Sequence, residues 1–204
     1  MVIRRSLRTL ALSYLEAGAF GDKEQPLSPV GLNLRTVDNP NRGPLTLDLI
    51  QAMGHKLWQE IVIDNWIHPY EFVAGLSDVG HPFAEALVRA HHRLDQGVEL
   101  LHVREADHKV SDAELTVIPG KPRGTVLVVG DTITDVDMTM ERIELFKRHE
   151  FNVGDVVVIV VDTQQNSPAF QRLSAEGIRL HALFSLQQLR ELAVQTKAQM
   201  FARC

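Results

Sequence analysis

Apolar residues along the chain alternate between two patterns. One is a three-to-four-residue spacing that makes a single helix face, and the other is the short unbroken run that suits a buried strand. Leu7, Leu10, Leu12, Tyr14 and Leu15 give a first amphipathic helix that stops near Gly18. A Pro/Gly-punctuated segment follows and ends in the strand-like Asn33, Leu34 and Arg35. The turn at 39–44 then leads into a long helix over about 45–61. Phe72–Gly75 reads as a short buried strand, 76–80 as a turn, and Pro82 suits the first turn of a helix that runs to about residue 95.

Residues 98–103 make another strand, after which 104–123 is polar, weakly periodic and long enough for a mobile functional loop. The second half repeats the alternation. A strand at 124–130 runs through a polar turn into a helix with Ile143, Leu145 and Phe146 inward and Arg142, Lys147 and Arg148 outward. A strand at 153–161, a short helix after Ser167 and Pro168, and a strand at 178–183 complete it. The last helix opens with Ser185 and Gln188 at capping-box spacing. Strands alternating with helices predict one α/β domain over 1–204, with a central, mainly parallel sheet covered by helices on both faces.

Composition narrows the function classes. A chain of 204 residues, 45% of them hydrophobic, suffices for one well-buried domain. A net charge of -5 and a pI near 6.0 give no basic field for nucleic acid or an anionic membrane. The single cysteine, Cys204, excludes an internal disulfide framework. Arg4, Arg5 and Arg8 are followed by no apolar signal core, and the longest apolar run, 156–161, is too short to span a bilayer. A cytoplasmic protein is expected.

The chemistry concentrates in 124–141, where strand, sharp polar turn and helix succeed one another. Such a unit puts backbone N–H groups and a helix N-terminus at the carboxyl edge of a parallel sheet, where phosphates bind. In position and length this segment resembles the 5-phosphoribosyl-1-pyrophosphate (PRPP) motif of type I phosphoribosyltransferases.

Three further segments extend the resemblance to orotate phosphoribosyltransferase over about residues 10–192. Gly18, Phe20 and Gly21 with Ser28, Pro29 and Asn33 to Arg35 resemble that family's small N-terminal hood, about 18–36. Residues 72–84 are similar to its pyrophosphate loop, and 177–186 to its closing strand and last helix.

The resemblance implies transfer of a phosphoribosyl group from PRPP to a pyrimidine base such as orotate, with Mg²⁺ if active, in a homodimer. It implies catalytic roles for Asp131, Arg104 and His108. It implies PRPP contacts from Lys23, Gly75, Ser77, Asp78, Gly80, Lys109, Asp131, Thr132, Thr134 and Asp135. Val30, Gly31 and Thr163 fall at base-binding positions, and Asp131 is the candidate Mg²⁺ contact. Apolar helix positions such as Phe83, Leu87, Leu47 and Ile50 supply surface for the dimer.

Several groups depart from the family pattern. Gly130 replaces the first of an acidic pair, Leu27 a lysine, and Thr163 the arginine expected to clamp a substrate carboxylate. Asp135, Val136, Asp137 and Met138 stand where a phosphate loop should offer hydroxyls and open N–H groups. A carboxylate about 5 Å from a phosphate costs about 3 kcal/mol at an effective dielectric near 20. Structural roles compete for the same residues: Asp131 as a turn residue capping the next helix, Asp135 and Asp137 as first-turn carboxylates complementing its dipole. His91 and His92 read as surface or interface histidines. Three readings stay open: a phosphoribosyltransferase with weak or lost activity, a non-catalytic homologue acting as a regulatory or structural partner, and an enzyme for a different base.

Overall fold

The computed structural model describes residues 47–60, 67, 69–77, 80–92, 97–106, 109–116, 124–133, 135–161, 168–185, 187–188 and 191. The expected first helix and hood fall outside them.

The elements are α1 (Leu47–Trp58), β1 (Phe72–Gly75), α2 (His81–His92), β2 (Glu99–Ala106), β3 (Lys109–Thr116), β4 (Thr125–Gly130), α3 (Val136–Arg148), β5 (Asn152–Val161), α4 (Pro168–Ala175) and β6 (Arg179–Ser185). The strands lie in the order β3-β2-β1-β4-β5-β6. Five are parallel, and β3 adds antiparallel to the β2 edge.

The continuous apolar runs follow from burial on both faces. Val73, Leu127, Val129, Val157 and Ile159 point to one side, where Leu49, Met53 and Leu57 of α1 and Phe83, Leu87 and Val88 of α2 cover them. Phe72, Ala74, Val126, Val128, Val156 and Val158 point to the other, under Met140, Ile143 and Phe146 of α3 and Leu173 of α4. Each such side chain contributes on the order of 1.5–3 kcal/mol by leaving water. Val126 pairs with Val153 but Leu127 with Asp155, so Gly154 is an extra residue on β5. That bulge keeps the two-faced alternation in step.

Four expectations are corrected. The loop set at 104–123 is in large part a hairpin: β2 continues through Ala106, β3 returns through Thr116, and Arg104 lies opposite Glu114. The apolar residues of β3, Val110, Ala113 and Leu115, are spaced irregularly, so its sequence gave no strand signal. Because β3 lies against α3, that flank of the helix is covered, and Arg142 is 2% exposed rather than outward. Phe83 and Leu87 are 1% and 0% exposed, inside the core and not on a surface open to a partner. His91 is buried and hydrogen-bonded to the Tyr70 hydroxyl at 2.5 Å, while its neighbour His92 is exposed. Burial pushes the Tyr70 phenol above its ordinary pKa, so it stays protonated.

Helices α3 and α4 end alike with different residues. After α4, Gly177 adopts φ +72° and the N–H of Ile178 reaches back to the Leu173 carbonyl at 2.9 Å. After α3, Phe151 reaches the Phe146 carbonyl at 3.0 Å, but the left-handed position is filled by Glu150 at φ 63°. A side chain there costs about 1 kcal/mol that glycine avoids. Glu150→Gly should therefore raise stability by about 0.5–1 kcal/mol in urea unfolding, and a loss would contradict this account of the cap.

Gly54 of α1 meets α2 so closely that a Cβ there would lie 2.5 Å from Ala86 Cβ and 2.6 Å from its carbonyl carbon. Alanine would bring about 1 kcal/mol of helix propensity, against about 1–3 kcal/mol of overpacking with backbone in the way. Gly54→Ala should thus be net destabilising, and an unchanged unfolding midpoint would mean the two helices separate freely.

Candidate functional site

The chain leaves β1 toward β2 on one side and β4 toward β5 on the other, so the strand order reverses between the adjacent strands β1 and β4. A crevice outside the carboxyl ends of these strands is where ligands bind in open parallel sheets. Two turns lie at that edge, one after Gly75 and one after Gly130.

The first turn rests directly on the end of β4. The Leu76 N–H donates to the Val129 carbonyl at 2.8 Å, and a Cβ on Gly80 would stand 2.4 Å from that same oxygen. No side chain larger than hydrogen fits there without moving backbone. The Ser77 carbonyl accepts the N–H groups of Gly80 at 2.9 Å and His81 at 3.0 Å, which closes the turn into α2.

The second turn carries Asp131 and Thr132, both half-buried. Its backbone is tied to β5 by the Val160 N–H, which donates to the Asp131 carbonyl at 2.9 Å. The cap of α3 is Asp135, not Asp131 as the sequence suggested. Asp135 Oδ1 accepts from the N–H of Asp137 at 2.8 Å and of Met138 at 3.0 Å. Its carbonyl also accepts from the Thr139 N–H at 3.2 Å and hydroxyl at 2.8 Å. Two aspartates lay near the helix start, and capping reach decides between them. Only an Ncap side chain reaches the second and third N–H groups of a helix.

Asp137 plays a different part from Asp135. Its carboxylate turns to Arg172 Nη1 on α4 at 2.9 Å, in an exposed pair. Asp137 is the first-turn carboxylate expected of it, and its side chain also bridges two helices. No signal in the sequence links residues this far apart.

Of the residues singled out from the sequence, Gly75, Ser77, Gly80, Asp131, Thr132 and Asp135 share these two neighbouring turns. Arg104 and Lys109 are backbone positions on the β2–β3 hairpin. Lys23, Val30, Gly31, Asp78, His108, Thr134 and Thr163 lie outside the described residues.

The donors on the second turn do not make a free-standing Mg²⁺ cage. Among the described residues no three His, Cys, Asp or Glu side chains come together in a way that could hold a metal.

A second polar cluster, unanticipated in the sequence, lies on β5 and β6. Asp155 is 3% exposed. It accepts from Arg179 Nε at 2.9 Å and Nη2 at 3.2 Å, and lies 2.7 Å from His181 Nε2. It sits in the first half of β5, away from the crevice, and satisfies a buried charge.

Comparison with known proteins agrees with this architecture. No family model matches the sequence. Among solved structures, orotate phosphoribosyltransferase of Mycobacterium tuberculosis in complex with PRPP is similar at 23% identity and a TM-score of 0.54, over 71% of this chain and 78% of that one. UMP synthase of Leishmania donovani is similar at 21% identity and a TM-score of 0.62, over 94% of this chain and 39% of that one. Adenine phosphoribosyltransferase of the same organism reaches a TM-score of 0.52 at 13% identity, over 69% and 66%. The chain has the type I phosphoribosyltransferase fold.

The cap has a measurable consequence. Asp135→Ala should cost about 0.5–2 kcal/mol of stability, and Asp135→Asn much less, because the amide oxygen can still accept both N–H groups. Equal losses in thermal unfolding would show that the side chain is not the cap.

Proposed function

We propose that the protein is orotate phosphoribosyltransferase-like, with transfer of phosphoribosyl from PRPP to a pyrimidine base such as orotate weak or lost. The observation that carries this reading is the Asp135 carboxylate bonded to the N–H groups of Asp137 and Met138. Those groups open the helix after β4, where the 5′-phosphate of a phosphoribosyl ligand would seat. The fold supports the coarse reading, and solved relatives include an enzyme in complex with PRPP.

Phosphoribosyl transfer depends on charge being held in place: phosphate at one end of the ribose, pyrophosphate leaving at the other. Here the phosphate end meets an anion that already holds the donors. Gly130, at the position of an expected acid, adds no hydroxyl contact, and a Cβ there would approach Leu76 Cδ2 at 3.0 Å. If each change costs about 2 kcal/mol, the pair lowers kcat/KM by about three orders of magnitude. Mg²⁺, if used, would arrive on the pyrophosphate, with Asp131 beside it.

We also propose a homodimer. Phe83 and Leu87 being in the core, the apolar surface for it comes from α1, where Leu47 is exposed and Ile50 half-buried. Light scattering that shows only monomer would contradict it.

Calorimetry with PRPP and Mg²⁺ tests the functional reading. The wild type should show no saturable binding at micromolar protein, whereas Asp135→Thr, which keeps a capping hydroxyl without the charge, should bind measurably. Orotidine 5′-monophosphate synthesis by the wild type at about 1 per second or faster would overturn the proposal.

A further inference from the structure

We draw no further inference here: the strongest candidate, the Tyr70–His91 hydrogen bond between the segment leading into β1 and the last turn of α2, joins elements that the core already holds together, and nothing among the described residues ties it to a ligand, a partner or a change of state.

Discussion

The first N–H groups of α3 have no carbonyl one turn earlier to receive them, and whatever receives them decides what the crevice can do. In a phosphate-binding version of this strand–turn–helix, the ligand itself satisfies the helix. In this chain Asp135 does so from within, at 2.8 and 3.0 Å. The same residue that terminates the turn and starts the helix therefore holds two of the donors that a phosphate at this helix end would need, which is the basis of the proposed loss of phosphate binding. Under the proposed function, stability and phosphate affinity would draw on one pair of donors, and a carboxylate placed there would favour the first at the expense of the second.

The rest of the architecture delivers that helix end to its place. Parallel pairing of β1 with β4 brings Gly75 opposite Val129, so the turn after β1 settles on the last carbonyls of β4. Gly80 is required because its Cβ would strike the Val129 oxygen. On the other side, Val160 of β5 holds the Asp131 carbonyl, and Met140, Ile143 and Phe146 anchor α3 against the sheet. These constraints are apolar or main-chain in nature. The sheet and the turns at its edge are thus held mainly by packing and main-chain bonds, with Asp135 capping α3.

Much of this was legible in the chain. Short, largely unbroken apolar runs marked β1, β4 and β5 within a residue or two, because strands buried on both faces are near-continuously apolar. The Ser185–Gln188 box forms reciprocally, the Gln188 N–H meeting Ser185 Oγ at 3.1 Å and the Ser185 N–H meeting Gln188 Oε1 at 2.8 Å. The strand read at 98–103 marked most of β2, but its continuation and β3 were not legible, since the apolar residues there are irregularly spaced. Nor were the Asp137–Arg172 and Asp155–Arg179–His181 contacts, which depend on how strands and helices align across the sequence. The sequence indicated a cluster of aspartates at the turn after β4, but not that one caps the helix while another bridges to α4.

Amide resonances of Asp137 and Met138 give the most direct test of the central claim, because they report on the two N–H groups in dispute. On titration with millimolar inorganic phosphate, both should hold their shifts in the wild type and move saturably in Asp135→Ser, where a neutral hydroxyl replaces the anion. A saturable phosphate response at these two amides in the wild type, matching that of the variant, would contradict the claim that Asp135 closes the seat.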